Sequence, residues 1–439
     1  MKKSKIGLWE AVSLAVGTMI GAGIFSILGV GAQICKSNLP LAFLLAAVIS
    51  FSVAYSYSFL GSKFISNAGP IEFIIRGIGD NLLTGTLSIL MWFSYVISIS
   101  LFSKAFSGYF LALFHITEKP LYTALIQGGI ILFFTSLNFF GSKAVGKAEF
   151  WIVMIKISVL LSFVTLGVWS INPELIKPNF SSKSIESIFF ASSVLFLTYM
   201  GFGLITNASE NIKDPEKNVP RAIYISIFIV AFVYISVSIV ALGNLGVEGL
   251  IRSKEYALAE AAKPFLGDIG FTLVALGALF STSSAINATL YGGANIAYVL
   301  SKKGHLPKVF ERKVWFNEPE GLFITAFLSY TFALFFDLNG ISALISFVFL
   351  IIYIFVIVSH YRLSEKAGGK KPLIMINLSI ILSVFIILLI YQWNNQKDSF
   401  ITGMFIVSFA FAFETLYRQI TGRMFIKRKL NQSDINTIF

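Results

Sequence analysis

Two glycine-rich runs contain the residues of this chain whose types and spacing best suit chemistry. The first, GTMIGAGIF from Gly17 to Phe25, has three glycines within seven residues, and the second is YMGFG from Tyr199 to Gly203. Each glycine weakens a helix by roughly 1 kcal/mol relative to alanine, so both runs predict a break within a helix. Broken ends present N–H groups to a carboxylate and carbonyls to an ammonium group. A zwitterionic α-amino acid has both groups, and the apolar Met200 and Phe202 suit a neutral side chain.

A single lysine, Lys156, lies within the apolar run FWIVMIKISV from Phe150 to Val159. A lysine at bilayer depth costs about 3 kcal/mol on insertion scales, so a functional role is the default hypothesis for it. Burial disfavours the ammonium form, so such a group can exchange a proton near neutral pH when its surroundings change. The sequence favours a proton carrier, while a fixed lysine that bonds helix carbonyls stays open. Lys104 lies nearer the end of its segment, and we expect it to snorkel.

The composition excludes an ordinary soluble protein. Of the 439 residues, 56% are hydrophobic and 13% are charged, and the mean hydropathy is +0.80. Soluble domains carry about 25% charged residues, and a bilayer-spanning helix needs about 20 apolar ones. Apolar runs predict an all-α integral membrane protein with twelve transmembrane helices. The segments are 8–35, 39–62, 82–114, 121–141, 148–170, 186–209, 219–245, 268–300, 320–336, 341–361, 372–393 and 400–417.

The ionisable residues and the single cysteine limit the possible partners. With Cys35 alone there is no disulfide framework, and the scattered His115, His305 and His360 add no metal site, so we expect no cofactor. The formal charge is +12, but the basic residues lie between apolar runs and in the tail instead of on one face. We therefore expect a lipid bilayer, and no nucleic acid, as partner. No obligate protein partner is evident from the sequence.

The distribution of Lys and Arg predicts the orientation. With a cytoplasmic N-terminus, the inner loops and both tails hold 24 of the 34 basic residues, and the outer loops hold eight. The positive-inside rule then places both termini in the cytoplasm, for a multi-pass protein of the cell (inner or plasma) membrane. The apolar stretch after the opening MKKSK is too long for a signal peptide, so we expect it to be retained. The polar stretch from Val247 to Gly267 is expected to form a short surface helix.

The two glycine-rich runs lie in segments one and six, which cross the membrane in opposite directions. Such paired, broken helices are typical of an inverted repeat of five plus five helices with a transporter's site at its centre. In an alternative interpretation, Gly17 and Gly21 merely let two helices pack closely. Segment eight carries STSSAIN from Ser281 to Asn287, whose hydroxyls either bond back to their own helix or reach Lys156.

Taken together, these motifs resemble those of the amino acid–polyamine–organocation (APC) permeases, and within them the archaeal ApcT-type amino-acid permeases. The resemblance runs nearly end to end. It is carried by the runs from Gly17 to Phe25, Asn138 to Gly146, Tyr199 to Gly203, Asn207 to Ala222, Tyr291 to Asn295 and Glu311 to Phe316.

The resemblance implies a LeuT-type fold in a single transmembrane domain over residues 1–439. The first inverted repeat would span 8–170, the second 186–361, and two additional helices 372–417. It also implies a proton-coupled, sodium-independent symporter of L-amino acids with broad specificity for neutral ones, which is not an enzyme.

The resemblance also implies the site residues. Lys156 is similar in position to a fifth-helix lysine whose ammonium stands where sodium-coupled relatives hold a sodium ion. That would place Lys156 near the carbonyl of Gly17 and the hydroxyls of Thr282 and Ser283. Substrate would meet the two breaks, at Thr18, Gly21, Ala22, Gly23, Tyr199, Met200, Gly201, Phe202 and Gly203.

Three other functions compete with proton symport. An exchanger of amino acids or amines with the same fold would hold Lys156 as a fixed cation. A membrane enzyme would require a nucleophile–base pair or a metal cluster at membrane depth, and the sequence shows neither. A channel would require a filter-like repeated loop or a ring of charged residues, and the sequence shows neither of these. A sodium-coupled transporter requires an empty cation site, which a charged lysine would fill.

Overall fold

Helices follow one another along almost the whole chain. The computed structural model describes residues 6–66, 69–138, 143–302, 304–314 and 319–422, without the side chains of Ala22 and residues 143–151. Within these ranges the β pairing consists of two isolated bridges, Ile6 to Ile212 and Lys313 to Pro319. The predicted all-α class is confirmed for the described residues.

The α-helices are numbered here in chain order within the described ranges. They are α1 (Leu8–Ala22), α2 (Ile24–Cys35), α3 (Leu39–Lys63), α4 (Pro70–Ile78), α5 (Leu82–Leu113), α6 (Pro120–Leu137), α7 (Lys143–Gly167), α8 (Ser182–Leu195), α9 (Gly203–Asn207), α10 (Pro215–Arg252), α11 (Ala257–Glu260), α12 (Lys263–Lys302), α13 (Glu320–Phe335), α14 (Leu338–Ala367), α15 (Lys371–Asn395) and α16 (Lys397–Thr421).

Residue types at the helix ends explain several of these bounds. Proline starts α4, α6 and α10, where its missing N–H costs nothing because the first turn has no intrahelical acceptor. The Asn81 side chain caps α5 by accepting from Thr84 N at 3.1 Å, and Asp337 caps α14 by accepting from Gly340 N at 2.8 Å. The helix α14 ends just before Gly368, whose φ of 88° suits glycine.

Several apolar segments are interrupted within their length. The first is divided at Gly23 into α1 and α2, and the sixth passes from α8 through a 3₁₀ helix, Phe196–Phe202, into α9. Gly246 with φ 74° and Gly267 with φ 60° interrupt α10 and α12. Between these two glycines, where a short surface helix was predicted, the chain forms several short helical pieces that include a 3₁₀ helix, Lys254–Tyr256, and α11. The surface position was wrong for α11, whose apolar residues 257–259 are buried.

The described residues include ten helices long and apolar enough to cross a membrane, so the protein is a multi-pass membrane protein. Two shorter apolar helices, Leu8–Gly21 and Glu320–Phe335, fall below that length. One of the ten stretches, Ile24–Lys63, contains both α2 and α3. The division at Gly23 shortens the first predicted segment, and the count of twelve spans stays a prediction.

The interrupted segments lie at the centre of the bundle. The helix α1 packs against α7, α10, α12 and the 3₁₀ helix of the sixth segment, while α3 packs on α10 and α5 packs on α12. Large apolar side chains are exposed along the outer helices, as at Phe133 of α6, Phe335 of α13 and Phe405 of α16. Exposed apolar side chains of this kind suit a lipid-facing surface.

Some sequence-based predictions fall outside the described residues. They concern parts of two motifs, Phe139 to Ser142 and Trp315 to Phe316, and the side chains of Ala22 and Lys143. From the orientation count they concern Lys2, Lys3, Lys5, Lys147, Lys303, Arg423, Lys427, Arg428 and Lys429.

Candidate substrate and coupling site

The break in the first segment is a one-residue interruption at Gly23. Its backbone has φ −94° and ψ −85°, outside the helical region, and its N–H donates to the Met19 carbonyl at 2.9 Å. A Cβ at this position would lie 2.2 Å from the Tyr234 hydroxyl oxygen and 2.7 Å from Thr198 Cβ. Glycine is therefore required at position 23 by close neighbours from α10 and the sixth segment.

The sixth segment is irregular over a longer stretch and lies directly against the first. Its 3₁₀ helix, Phe196–Phe202, replaces nearly two turns of α-helix. A Cβ on Gly201 would lie 2.7 Å from Met19 Cγ and 2.8 Å from Met19 N. The two glycine-rich runs, almost 180 residues apart in the chain, thus form one contact in which glycine allows backbone to meet backbone.

A cavity of about 140 Å³ lies beside this contact. A water-sized group needs about 10–15 Å³ by the same measure, so there is room for roughly ten such groups. Its wall includes Thr18, Met200, Gly201 and Gly203, which are four of the predicted substrate residues. The described lining residues contain no Asp, Glu, Lys, Arg or His side chain, so the surroundings are neutral.

The other five predicted substrate residues are not among the described residues that line the cavity. Gly21 faces Lys156 and Gly23 faces Tyr234. The Tyr199 hydroxyl donates to the Phe43 carbonyl at 3.1 Å, and the Phe202 ring packs edge-on against Tyr57, with centroids 5.3 Å apart. For Ala22 only the backbone, at the end of α1, is described. The role of all nine residues in binding stays a prediction.

The Lys156 side chain links α7 to α1. It is 1% exposed, and its ammonium Nζ donates a hydrogen bond to the Gly17 carbonyl oxygen at 2.5 Å. A Cβ on Gly21 would lie 3.1 Å from this Nζ and 3.5 Å from the Ser281 carbonyl oxygen. The ammonium therefore lies where α1, α7 and α12 meet.

Gly17 brings α7 close enough for this contact. A Cβ on Gly17 would lie 2.5 Å from Cγ2 of Val153, one turn before Lys156. Close packing at Gly17 is thus observed, and it is compatible with the site interpretation, which stays a prediction. The same small residues that let the helices approach also allow the lysine to reach a carbonyl.

The hydroxyls on α12 differ in their bonding. Thr282 Oγ1 donates to the Ala278 carbonyl of its own helix at 2.7 Å, while its lone pairs can still accept. Ser283 is half-buried. Ser281 Oγ is buried and has no hydrogen-bond partner among the described residues. Contact of Thr282 and Ser283 with Lys156 stays a prediction.

In the described part of the chain, no group of three His, Cys, Asp or Glu side chains could hold a metal ion.

Comparison with known proteins identifies the family. The sequence profile of the family described as amino acid permease matches residues 10–434. The chain belongs to this family. The predicted assignment to the APC permeases is thereby confirmed, and the permease is a membrane transporter of amino acids and not an enzyme.

Relatives of the permease include proteins similar to it over most of their length. It is 53% identical over 425 residues to an uncharacterized protein of Methanocaldococcus jannaschii, covering 97% of this chain and 98% of the other. It is 32% identical over 397 residues to the inner membrane transport protein YbaT of Escherichia coli, covering 90% and 92%. It is 24% identical over 324 residues to the branched-chain amino acid permease BcaP of Bacillus subtilis, covering 70% and 68%.

Sequence reasoning missed much of the cavity wall of the permease. Helix α5 contributes Ser94, Tyr95 and Ser98, and α12 contributes Thr289. The serines of α5 recur along an otherwise apolar segment, which is a signal that could have been used. The side chain of Tyr234 contacts both breaks, but no sequence pattern marks this residue as functional because it is a single tyrosine within an apolar run.

Proposed function

We propose that the protein is a proton-coupled, sodium-independent symporter that takes up L-amino acids, with broad specificity for neutral ones, by alternating access. Lys156 is the proton carrier. The coupling ion is H⁺, and transport requires no cofactor. In this proposal Thr282 and Ser283 complete the surroundings of the ammonium. Substrate binds along the two breaks from Thr18 to Gly23 and from Tyr199 to Gly203.

The hydrogen bond from Lys156 to Gly17 is the observation that carries this proposal. A charge-assisted bond from an ammonium is roughly twice as strong as a neutral one, so loss of the proton weakens the link between α7 and α1. Since α1 ends at the first break, the link joins the protonation state of Lys156 to the position of the substrate site. Coupling then requires only that the two conformations bind the proton with different affinity.

The chemistry of the cavity supports a neutral amino acid as substrate. A charged side chain would be left without a counter-charge among the described lining residues. The α-carboxylate and α-ammonium groups can instead use the N–H and carbonyl groups of the broken helices. The relative named branched-chain amino acid permease is consistent with such a substrate.

The positive charge of protonated Lys156 favours the proton over sodium as the coupling ion. A sodium ion beside the Gly17 carbonyl would stand within a few ångströms of a buried ammonium, and like charges repel strongly in a medium of low dielectric. For sodium to enter, Lys156 would have to be neutral and displaced. Proton coupling needs no such displacement.

We further propose a single domain of twelve spans with a LeuT-type five-plus-five inverted repeat. The repeats are 8–170 and 186–361, followed by two additional helices in 372–417. Both termini lie in the cytoplasm and the protein resides in the cell membrane.

In this orientation α2 forms part of the outer half, and its buried residues from Ile24 to Ala32 support an outward-closed conformation. The hydrogen bond from the Tyr109 hydroxyl to the Phe25 carbonyl, 3.0 Å long, supports the same conformation.

Uptake into proteoliposomes tests the proposal. Purified protein is reconstituted into empty vesicles, and accumulation of labelled alanine, leucine and lysine is followed under an imposed proton gradient or sodium gradient. The proposal predicts accumulation of alanine and leucine on the proton gradient alone. Accumulation that requires sodium would contradict it, and uptake only into vesicles preloaded with amino acid or amine would identify an exchanger.

A further inference from the structure

The side chain of Tyr234 lies between the two breaks. It is fully buried in α10, and its hydroxyl donates a hydrogen bond to the Met19 carbonyl oxygen at 2.6 Å. The same hydroxyl lies 3.3 Å from the carbonyl oxygen of Thr198 in the 3₁₀ helix. One side chain from a third segment thus contacts backbone on both sides of the contact between the glycine-rich runs.

The aromatic ring of Tyr234 is held on two sides. Its centroid lies 5.2 Å from that of Tyr199 and 5.5 Å from that of Phe43. Gly23 leaves the space that the hydroxyl occupies, since a Cβ there would lie 2.2 Å from the oxygen. The ring packing fixes where the hydroxyl stands, and the hydroxyl in turn holds the two backbones.

The bonding capacity of the hydroxyl makes this link specific. A tyrosine hydroxyl has one proton, which the two carbonyls share: the bond to Met19 is the shorter and stronger one, and the bond to Thr198 is the longer and weaker one. The Met19 carbonyl already accepts from Gly23 N at 2.9 Å. The bond from Tyr234 is therefore additional to the backbone pattern, and it fixes the end of α1 relative to α10 and the sixth segment.

The groups that Tyr234 holds form part of the cavity wall, whereas Tyr234 itself does not line it. Met19 and Thr198 both line the cavity, next to Thr18 and Gly201. We propose that Tyr234 is a positioning residue, whose hydroxyl keeps the two breaks in register and thereby sets the affinity for substrate. The effect on affinity rests on the transport function proposed above, whereas the effect on the backbone of the two breaks does not.

The substitution Tyr234→Phe removes the hydroxyl and keeps the ring. A matched control is Tyr224→Phe, which lies ten residues earlier on α10 and loses a hydroxyl contact with Ser58 Oγ at 3.2 Å, away from both breaks. A second test variant, Gly23→Ala, places a methyl group where the hydroxyl stands and leaves Tyr234 in the chain. Each variant is compared with wild type as purified full-length protein.

The first readout is hydrogen–deuterium exchange of backbone amides in residues 19–27 and 196–203, measured without substrate. We expect faster exchange in both ranges for Tyr234→Phe and Gly23→Ala, and no change for Tyr224→Phe. The second readout is the dissociation constant for alanine and leucine. We expect it to rise about fivefold for Tyr234→Phe, the change that corresponds to one hydrogen bond of about 1 kcal/mol.

The two readouts separate failure of this inference from failure of the proposed function. Wild-type exchange rates and affinity in Tyr234→Phe would overturn the inference, as would equal losses in Tyr224→Phe, which would indicate general destabilisation. If wild type binds no amino acid, the proposed substrate is wrong, and the exchange rates alone then decide whether Tyr234 positions the breaks.

Discussion

The Lys156 ammonium and the Gly17 carbonyl oxygen lie 2.5 Å apart, and this contact joins α7 to α1, the helix that ends at the first break. Gly17 makes this possible in two ways: its carbonyl accepts the bond, and its missing side chain lets Val153 and the rest of α7 approach. The glycine and the lysine therefore act as one structural unit. Replacing either one should affect the other.

Gly17→Ala tests this dependence. The new Cβ would meet Val153 Cγ2 at 2.5 Å, and because a valine side chain is stiff at χ1, the backbones must separate. Such overpacking costs about 1–3 kcal/mol, and it should lengthen the bond from Lys156. We expect a lower unfolding temperature in detergent and a large loss of proton-driven uptake.

Gly129→Ala is the matched control for that substitution. Gly129 also lies within a helix, α6, but a Cβ there would have no neighbour within 4 Å. Alanine should stabilise this helix by roughly 0.5–1 kcal/mol, because glycine loses more conformational freedom on folding. If Gly17→Ala behaved like Gly129→Ala in both assays, close packing at Gly17 would not support the lysine contact.

Ser98→Leu tests the cavity as the substrate site. Ser98 lines the cavity of about 140 Å³ from α5, and a leucine would fill part of it. Inhibition of alanine uptake by phenylalanine and leucine should weaken by about tenfold or more, while inhibition by glycine should change little. Thr331→Leu, at a half-buried position of α13 that does not line the cavity, is the control. An equal change for small and large amino acids would argue against this cavity.

The sequence was sufficient to predict residues whose free-energy cost follows from their immediate neighbours in the chain. A lysine among apolar residues and glycines at mid-segment are unfavourable unless they serve a purpose, so Lys156, Gly17 and Gly201 could be singled out. The side chains of Tyr199 and Phe202 were harder to predict. Their backbone lies at the break, but the 3₁₀ geometry directs both rings to other helices, and the direction of a side chain depends on that geometry.

Contacts between distant segments were beyond sequence reasoning, as Arg418 illustrates. The orientation count treated it as a basic residue at the start of the tail. In the structure it is 1% exposed; it donates to Glu414 Oε1 at 2.6 Å and to Asp80 Oδ1 at 2.6 Å. His305 Nδ1 lies 3.6 Å from the same Glu414 oxygen. Asp80 is 338 residues away from Arg418 in the chain, so no local sequence pattern predicts this cluster of Arg418, Glu414, Asp80 and His305.

Arg418→Met should destabilise the protein strongly. Removing the guanidinium breaks its ion pair with the fully buried Glu414, and breaking a buried pair costs about 3–5 kcal/mol. The control Lys177→Met breaks a largely exposed pair with Glu174, which is worth less than about 1 kcal/mol. Thermal unfolding in detergent would show the difference. Equal unfolding temperatures for the two variants would contradict the importance of the cluster.

Glu255 should make stability depend on pH. It lies in the 3₁₀ helix between α10 and α11, outside the membrane-spanning segments, and burial raises the pKa of its carboxyl above the usual 4.5. Glu118 raises this pKa further, whereas a backbone hydrogen bond, Lys254 and Lys104 oppose the shift. The folded state therefore loses stability as pH rises from the usual value through the raised one.

Glu255→Gln removes that loss because the amide stays neutral. The variant should unfold at a higher temperature than wild type at neutral pH, and the difference should vanish below pH 4.5. Glu174→Gln, at an exposed position, is the control for replacing one glutamate by glutamine. A stability difference that grew as the pH fell would show that the sign of the shift is wrong.

The most direct test of the account compares two lysines that both lie within apolar helices. Lys156→Ala and Lys104→Ala are reconstituted into empty proteoliposomes, and accumulation of labelled alanine on a proton gradient is measured together with binding of alanine to the purified protein. We predict that Lys156→Ala binds alanine but does not accumulate it, while Lys104→Ala does both. Proton-driven accumulation by Lys156→Ala at the wild-type rate would contradict the assignment of Lys156 as the proton carrier.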